Sequence, residues 1–390
     1  VASKVKATTP DRIGIILGDL VGSEEAFSLR QLADQLGIKN IDCRQDGTPL
    51  GEQGGRAGYL FNSGIAAIEE ADAIMLIGTN PRLEAPVLNA RIRKRYLKGG
   101  CIIGVIGEQA DLTYPYTYLG AGPDSLAKFV DHPPAKAEKP MFIIGQGALA
   151  RPDGAAVLAA AYKAAASIGV VKDGWNGFNV LHTAAGRVGA LDVCALPSKD
   201  GGKTAKQMLD AAKNGELDVL ILAGADEIDT QNLGSTFVVY IGTHGDAGAH
   251  RADVILPGAA YVEKQVTYVN TEGRPQMTAR ASFPPGDARE DWAILRALSE
   301  HLGATLPWNN LDELRAAMYK VAPHLARLEQ VTPADAAALA DLANAAGAMS
   351  GEAFRSPITD FYMTNPIARA SRIMAECSAM RNAGKLEAAE

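Results

Sequence analysis

Short β-branched runs that each end in glycine recur along this chain, at 12–18, 73–78, 102–107, 141–145, 218–224 and 237–242. They lack the polar alternation of a half-exposed strand, and this predicts strands buried on both faces of a parallel sheet. Helical stretches accompany them at 24–36, 86–97, 154–166, 203–213 and 291–302. The alternation predicts an α/β fold with doubly wound sheets. Ligands of such sheets bind at the carboxyl ends of the strands, where the glycines lie.

A weak internal repeat indicates two such units. Residues 70–80 parallel residues 216–226, because both run from a Glu-x-Asp start through a strand to a glycine and a polar tip. The segment at 131–140, between the repeats, is rich in proline and charge, which is typical of a boundary. We therefore predict Rossmann-like units at 1–133 and 137–305 and a helical tail at 306–390 that contacts another subunit.

The tail carries two signals for helix starts. Thr332-Pro333 precedes an alanine-rich stretch, and Asn365-Pro366 opens a helix that we expect to reach about Asn382. One apolar face of this second helix is formed by Ile367, Ala370, Ile373, Met374, Cys377 and Met380. Such a face requires a partner, either the body of this chain or a neighbouring subunit.

Charge and hydropathy exclude several classes of partner. The 390 residues carry a net charge of −7, and no basic cluster dominates, so we expect neither a nucleic acid nor an anionic membrane surface as a partner. No apolar stretch reaches the roughly 20 residues that a membrane span requires. We expect any link to a membrane to run through other subunits.

The cysteines argue against an iron–sulfur cluster in this chain. Cys43, Cys101, Cys194 and Cys377 are far apart, whereas a cluster usually takes several ligands from one short run. Scattered thiols also fit a reducing compartment without a disulfide framework. The sequence begins at Val1 without an initiator methionine, and we interpret it as a fragment or a processed product.

A polar turn follows the predicted strand at 73–78. Gly78 is followed by Thr79-Asn80-Pro81-Arg82 and then by a helix, and the free backbone N–H groups of such a turn can hold a phosphate. Asn80 and Arg82 are therefore candidate binding residues. The alternative is structural: Asn80 shapes the turn, and Arg82 pairs with Glu84 on the surface.

A second polar turn runs from Asn270 to Arg274. Gly273 suits a left-handed backbone position, and Glu272 and Arg274 can form an ion pair that orders the turn. Asn270, Glu272 and Arg274 are candidate pocket residues, and a plain structural loop is the alternative.

Other ligand motifs are weak. Gly145-Gln146-Gly147 has the first two glycines of a dinucleotide fingerprint but lacks its further features. His244 and His250 do not have the spacing of metal ligands, so we interpret both as structural. A soluble domain that binds a small nucleotide at 78–82 remains an alternative.

Several long motifs resemble one family. The segments at 69–86, 252–276, 288–292 and 358–365 look like the large iron–sulfur subunits of respiratory complex I. The segment 252–276 and the Gly-x-Asn-Pro turn at Gly78 also resemble molybdopterin-dependent oxidoreductases, whose domain complex I reuses. The resemblance covers nearly the whole chain, and it implies two Rossmann-like units of the molybdopterin oxidoreductase type with a helical tail.

In that family, iron–sulfur clusters in an amino-terminal region pass electrons from NADH toward quinone, and the whole complex moves charge across a membrane. The present sequence lacks that region. The resemblance implies that this chain is a scaffold with no cofactor, no metal and no catalytic residue, which contacts other hydrophilic-arm subunits. It also implies a peripheral location on the cytoplasmic face of a bacterial inner membrane or on the mitochondrial matrix side.

The rival interpretation is a molybdopterin oxidoreductase domain of the formate dehydrogenase type. In such enzymes a Cys, selenocysteine or Ser that binds the metal precedes the Gly-x-Asn-Pro turn by an interval similar to the 35 positions between Cys43 and Gly78. That ligand is usually followed by His, whereas Cys43 is followed by Arg44. Asp42 and Asp46 are expected to raise the pKa of the thiol. We therefore regard Cys43 as a remnant of a pterin pocket, together with Asn80, Arg82 and the 270–274 turn.

Overall fold

The computed structural model describes residues 1–131, 137–345 and 347–387. The strands are β1 (Ile13–Leu17), β2 (Asn40–Asp42), β3 (Ala73–Ile77), β4 (Ile102–Ile106), β5 (Thr117–Gly120), β6 (Pro140–Ile144), β7 (Val171–Lys172), β8 (Trp175–Asn176), β9 (Phe178–Val180), β10 (Val219–Ala223), β11 (Phe237–Gly242), β12 (Val254–Pro257), β13 (Thr267–Val269) and β14 (Pro275–Met277). The α-helices are α1 (Ala2–Lys6), α2 (Ser23–Leu36), α3 (Pro81–Glu84), α4 (Pro86–Leu97), α5 (Pro123–Asp131), α6 (Gln146–Leu149), α7 (Gly154–Ser167), α8 (Arg187–Asp192), α9 (Ala205–Lys213), α10 (Ala247–Arg251), α11 (Asp291–Leu302), α12 (Leu311–Val321), α13 (Pro366–Arg369) and α14 (Arg372–Glu387). Short 3-10 helices lie at Pro10–Arg12, Arg56–Tyr59, Ile65–Glu69, Pro323–Ala326 and Ala336–Asn344.

The first sheet contains five parallel strands in the order β12-β11-β10-β1-β2. Both of its faces are buried. Ile15 and Leu17 of β1 join the core that includes Phe27 of α2, whereas Ile16 joins the core that includes Met208 of α9. Burial on both sides is the physical reason why these strands show no polar alternation in the sequence.

The second sheet is also parallel, with the order β5-β4-β3-β6-β9. All its strands lie between β2 and β10 in the sequence, so the second unit is inserted within the first. Two antiparallel hairpins, β7-β8 and β13-β14, complete the strand pairing. In the part of the chain that the structure describes, no helix combines the length and apolar character needed to cross a membrane.

The sheets do not follow the predicted division into 1–133 and 137–305. Strand β1 pairs with β10 across that division, and the second sheet takes β5 from before it and β6 from after it. The repeat at 70–80 and 216–226 matches β3 with β10, which lie in different sheets. The proline-rich segment connects α5 to β6 within one unit, and its residues 132–136 lie outside the described residues.

The predicted local elements agree well with the structure. The six glycine-terminated runs contain β1, β3, β4, β6, β10 and β11, and the five predicted helices correspond to α2, α4, α7, α9 and α11. The sequence did not single out the short strands β2, β5 and β9. These have only three or four residues each, which is too few for a recognisable pattern.

The tail is helical in part and differs from the prediction at its first helix start. Asp335, and not Thr332, caps the alanine-rich stretch through its hydrogen bond from the Ala337 N–H at 2.9 Å, and the stretch forms a 3-10 helix. The predicted cap at Asn365 is confirmed, because its Oδ1 accepts from the Ala368 N–H at 2.9 Å. The helix that follows is divided into α13 and α14, and it extends beyond the predicted end at Asn382.

Candidate functional site

The carboxyl ends of the two parallel sheets are the places where a doubly wound fold binds its ligands. At the first sheet, the residues that follow the strands are Gly18, Cys43, Gly224 and Thr243. At the second sheet, they are Gly78, Gly107 and Gly145. Any ligand of this fold type would meet the turns that begin at these residues.

The turn after β3 binds a carboxylate of the chain itself. The Asn80 backbone N–H donates to Glu84 Oε1 at 2.8 Å, and the Thr79 hydroxyl donates to Glu84 Oε2 at 2.7 Å. Ser356, from the tail, donates its hydroxyl to Glu84 Oε1 at 3.1 Å. Burial raises the pKa of Glu84, although these hydrogen bonds oppose the shift. Glu84 therefore fills the position at which the sequence predicted a phosphate.

Arg82 lies away from this carboxylate. Its side chain is 48% exposed and pairs with Asp111 at 2.6 Å. The alternative in which Arg82 pairs with Glu84 is wrong. Residues two positions apart on a helix do not face each other, so Arg82 and Glu84 of α3 have different surroundings.

The tail covers the neighbouring strand end. A Cβ atom at Gly147 would lie 2.2 Å from the backbone oxygen of Arg355 and 2.7 Å from that of Gly78. The tail and the two turns therefore pack backbone against backbone. Arg151 holds the tail in this place, since its guanidinium group stacks 5.1 Å from the centre of the Phe354 ring.

Cys43 follows β2 and is only 3% exposed. Burial raises the pKa of its thiol to about 12, while Arg187 opposes the shift and Asp42 adds to it. The predicted direction of the shift is confirmed, but its main cause is burial and not the neighbouring aspartates. The thiol is protonated at neutral pH, whereas a metal ligand must be a thiolate.

Buried guanidinium groups act on the Cys43 thiol from two sides of the sequence. Arg187 is buried and donates to Asp46 Oδ1 at 3.0 Å, and Arg44 Nε donates to Asp42 Oδ1 at 2.8 Å. Both arginines act on the thiol electrostatically. The positive charge that a metal ion would bring to this place is therefore already present.

The turn from Asn270 to Arg274 joins β13 to β14 and is ordered by its own side chains. Asn270 Oδ1 accepts from the backbone N–H groups of Glu272 at 3.1 Å and Arg274 at 2.9 Å. The expected ion pair of Glu272 with Arg274 is present at 2.9 Å, and Gly273 has the expected left-handed backbone with φ of +82°. These contacts make the turn rigid.

The same turn fastens the hairpin to the second unit. The Phe61 N–H donates to the carbonyl oxygen of Thr271 at 2.7 Å, and the Ile65 N–H donates to Glu272 Oε2 at 2.8 Å. The Thr271 hydroxyl donates to the carbonyl oxygen of Val180, which ends β9, at 2.9 Å. Glu272 therefore binds a backbone N–H of this chain in the way that Glu84 does.

The structure brings the three residues of this turn together but places the other candidates elsewhere. Cys43 lies at the end of β2 in the first sheet, and Asn80 and Arg82 lie at the end of β3 in the second. Across the described ranges, no hydrogen bond or ion pair joins the three groups. Their role as remnants of a single pterin pocket stays a prediction.

A buried ionic cluster at the end of the first sheet was not predicted as a site. Lys264 is 7% exposed and contacts the carboxylates of Glu25 and Asp291, the latter at 2.6 Å. Glu25 Oε2 also accepts from the Gly22 backbone N–H at 2.7 Å, at the start of α2. The sequence did hold a signal, because Lys264 and Asp291 belong to two of the motifs that carry the family resemblance.

The Lys264–Glu25–Asp291 cluster places two carboxylates and one ammonium group in a buried site. Burial raises the pKa of Glu25 well above its usual range, against the effect of Lys264 and with the support of Asp291. Burial alone would lower the pKa of Lys264, but Glu25 and Asp291 hold it above its usual value. The lysine therefore stays charged, and the pair of carboxyl groups takes up a proton near neutral pH.

This cluster lines a small cleft whose other walls include Leu20, Gly224, Tyr240, Tyr261, Tyr268 and Ile367. The cleft has a volume of about 60 Å³. A single water needs roughly 10–15 Å³ of such space, so the cleft accommodates only a few waters. It is much too small for a pterin dinucleotide.

The residues at the two sheet ends do not fit a pterin-bound metal. Glu84 occupies the anion position of the turn, the Cys43 thiol is buried and protonated, and the cleft at the first sheet is small. Among the described residues, no group of three or more His, Cys, Asp or Glu side chains is arranged to hold a metal ion. No reaction step is assigned to such a group here.

Two protein families match different parts of the chain. Residues 1–301 match the molybdopterin oxidoreductase family. Residues 327–377 match a carboxy-terminal family of NADH-ubiquinone oxidoreductase. The second match includes the tail segment that packs against Gly147 and the helix cap at Asn365.

The chain is similar in sequence to two complex I subunits. The NADH-ubiquinone oxidoreductase 75 kDa subunit of Reclinomonas americana is 37% identical over 390 residues, which cover 95% of this chain and 55% of that protein. The mitochondrial NADH dehydrogenase (ubiquinone) iron-sulfur protein 1 of Solanum tuberosum is 38% identical over 388 residues, which cover 97% of this chain and 51% of that protein. The chain thus spans about half the length of these curated relatives.

A solved structure shares the fold. Acetylene hydratase from Pelobacter acetylenicus superimposes with a TM-score of 0.51 at 13% identity, over 84% of this chain and 60% of that protein. This likeness concerns the fold alone, and it confirms the predicted α/β architecture of the molybdopterin oxidoreductase type. Together with the sequence matches, it shows that the chain belongs to the molybdopterin oxidoreductase family and, within it, to the large iron–sulfur subunits of NADH-ubiquinone oxidoreductase.

Proposed function

We propose that this chain is the cofactor-free scaffold part of the large iron–sulfur subunit of respiratory complex I. In this role it braces the region of the subunit that carries the iron–sulfur clusters, and it contacts neighbouring subunits of the hydrophilic arm. The complex oxidises NADH, reduces quinone and moves protons across the membrane. The chain alone has no turnover.

The observation that carries this proposal is the use of internal carboxylates at the strand ends. Glu25 accepts from the N–H at the start of α2, and Glu84 accepts from the N–H of the turn after β3. In a ligand-binding fold of this type, such N–H groups receive the phosphates of the cofactor. A chain that supplies these anions itself is suited to a structural role.

The iron–sulfur clusters belong to another region of the subunit in this proposal. The four cysteines of the present chain are free and differ in their exposure, with Cys43 and Cys101 buried and Cys194 exposed. The relatives are named as iron–sulfur and mitochondrial proteins, which supports a peripheral location on the mitochondrial matrix side or on the cytoplasmic face of a bacterial inner membrane. Other subunits hold the protein at the membrane.

The test is elemental analysis of the intact complex, isolated through a tag on this subunit. We expect iron in stoichiometric amounts, together with the other hydrophilic-arm subunits. We expect molybdenum, tungsten and the fluorescent pterin that acid oxidation releases to stay far below one per complex.

The rival function, a molybdopterin oxidoreductase of the formate dehydrogenase type, predicts the opposite result. Stoichiometric molybdenum or tungsten together with pterin would contradict the scaffold proposal, and Cys43 would then be the first residue to replace. Isolation of the tagged subunit without any other subunit of the complex would also contradict it.

A further inference from the structure

Helix α4 carries a concentration of positive charge within an acidic chain. Residues 85–107 contain the cations Arg91, Arg93, Lys94, Arg95 and Lys98 and no acidic residue, although the net charge of the chain is −7. The overall charge concealed this local excess, so no dominant basic cluster was predicted from the sequence. The structure shows how little of the excess is neutralised.

Glu69 alone receives three of these cations. Its carboxylate lies 3.1 Å from Arg91, 3.0 Å from Lys94 and 3.0 Å from Lys98. Hydrogen bonds from Lys98 and Lys94 lower the pKa of Glu69 to about 2. One carboxylate neutralises only one of three charges, so positive charge remains in excess. The side chains of Lys94 and Lys98 stay 60% and 52% exposed.

Exposed apolar side chains lie on the same side of the helix. Val87 is 85% exposed and Leu97 is 63% exposed, and helical spacing places both near Lys94. Leu88 and Ile92, on the opposite side, are buried against the body. Large apolar side chains surrounded by charged ones are typical of a docking surface.

We propose that the α4 face, formed by Val87, Arg91, Lys94, Leu97 and Lys98, docks onto an acidic surface of a neighbouring polypeptide in the assembled complex. This inference rests on the proposed function and adds the place and the chemistry of one subunit contact. The uncompensated cations select an acidic partner, and Val87 and Leu97 supply the apolar contact that excludes water at its centre.

The same face suits a membrane or a nucleic acid less well. Binding in the plane of a bilayer requires a continuous apolar face, whereas Val87 and Leu97 lie on a face that Lys94 shares. A nucleic acid requires cations that follow its backbone over a long distance, and the acidic remainder of the chain would repel it. Both are outcomes of the test.

The experiment compares lysine reactivity in the isolated full-length subunit and in the intact complex. We expect acylation of Lys94 and Lys98 to slow by about tenfold on assembly, because a specific interface excludes reagent from its centre. Lys206 is the matched control, since it is 74% exposed and lies 2.8 Å from Asp210 in a helical ion pair. Its rate should change by less than about twofold.

Zero-length cross-linking with a carbodiimide identifies the partner. In the intact complex, Lys94 or Lys98 should form an amide with an aspartate or glutamate of another subunit, whereas Lys206 should link only to its own Asp210. The double variant Lys94→Ala/Lys98→Ala should fold normally and should dissociate from the complex at lower salt than the unmodified subunit.

Three results would overturn the inference, and they are distinguishable from failure of the proposed function. If the subunit assembles but Lys94 and Lys98 remain as reactive as before and link only to Glu69, the face is free and the scaffold proposal stands. If assembly gives no protection, and the face binds phosphatidylglycerol vesicles or single-stranded RNA in a manner lost in the double variant, the partner is a membrane or a nucleic acid. Failure to isolate any other subunit with the tagged one contradicts the proposed function itself.

Discussion

At the end of the first sheet, a buried ammonium group lies between two carboxylates, whereas at the end of the second sheet one carboxylate accepts hydrogen bonds from neutral donors. Lys264, Glu25 and Asp291 form the first arrangement entirely from groups that are charged or can be charged. Glu84 forms the second with Asn80, Thr79 and the tail residue Ser356. Equivalent positions of one fold type are thus closed in two chemically different ways.

The difference lies in how each end would respond to the loss of one group. Removal of one member of a buried ion pair leaves uncompensated charge in a medium that solvates it poorly, which is strongly destabilising. Removal of an acceptor from neutral donors costs only the unmade hydrogen bonds. We therefore expect the first end to be the more sensitive of the two.

The largest expected effect comes from Lys264→Met, which leaves Glu25 and Asp291 buried without their cation. We expect the free energy of unfolding to fall by about 3–5 kcal/mol, because the two carboxyl groups must then be neutralised or hydrated. Urea-induced unfolding followed by tryptophan fluorescence measures the change. In the control Lys206→Met, which removes an exposed ion pair, the loss should stay below about 0.5 kcal/mol. Equal effects of the two substitutions would show that the cluster adds no special sensitivity.

The second expected effect is that of Glu84→Ala. The donors of Asn80, Thr79 and Ser356 lose their acceptor, and we expect a loss of about 2 kcal/mol in the free energy of unfolding. Inorganic phosphate at tens of millimolar should then raise the melting temperature of the variant by a few degrees, because an anion can occupy the vacated position.

Glu84→Gln is the matched control for this substitution, since it retains an acceptor oxygen and should respond less to phosphate. A melting temperature that rises equally with phosphate in the wild type and in Glu84→Ala would argue against the idea that Glu84 takes the place of a phosphate.

The smallest expected effect is on the pH dependence of stability. The pKa of Glu25 is raised in the folded protein, so the folded state retains a proton that the unfolded state releases above its ordinary pKa of 4.5. Stability is therefore greatest below that value and falls as the pH rises toward the raised pKa. Glu25→Gln mimics the protonated form and should reduce this fall by about 1 kcal/mol between roughly pH 5 and pH 8.

Denaturation midpoints at several pH values test this expectation. Glu300→Gln serves as the control, because its side chain is 71% exposed and should leave the pH profile unchanged. A profile of Glu25→Gln that parallels the wild type would show that Glu25 titrates in its ordinary range.

Local elements were predictable from the sequence because their signals are local. Burial on both faces leaves uninterrupted β-branched runs such as that of β1, and capping at Asn365 depends on neighbouring residues only. The sheet to which a strand belongs depends on distant pairing, and a proline-rich segment carries no information about it. For that reason the predicted boundary at 133–137 does not separate the sheets.

The site shows the same limit. The Glu272–Arg274 pair was predictable because its members are two residues apart, and the protonated state of Cys43 was predictable in direction. Glu84 was assigned to the wrong partner, since the sequence does not reveal which side of α3 is buried. The Lys264 cluster draws its three residues from distant parts of the chain, and only the folded structure shows that they meet.

Insertion of the second unit between β2 and β10 has a consequence for how the protein is made. During translation, β1 emerges roughly 200 residues before β10, its neighbour in the sheet. In that interval one edge of β1 stays available for wrong pairing, while the inserted unit has all its own strands and can fold first. A ribosome-associated chaperone that shields this early strand would therefore matter more for the yield of this subunit than for a protein of equal length with consecutive domains.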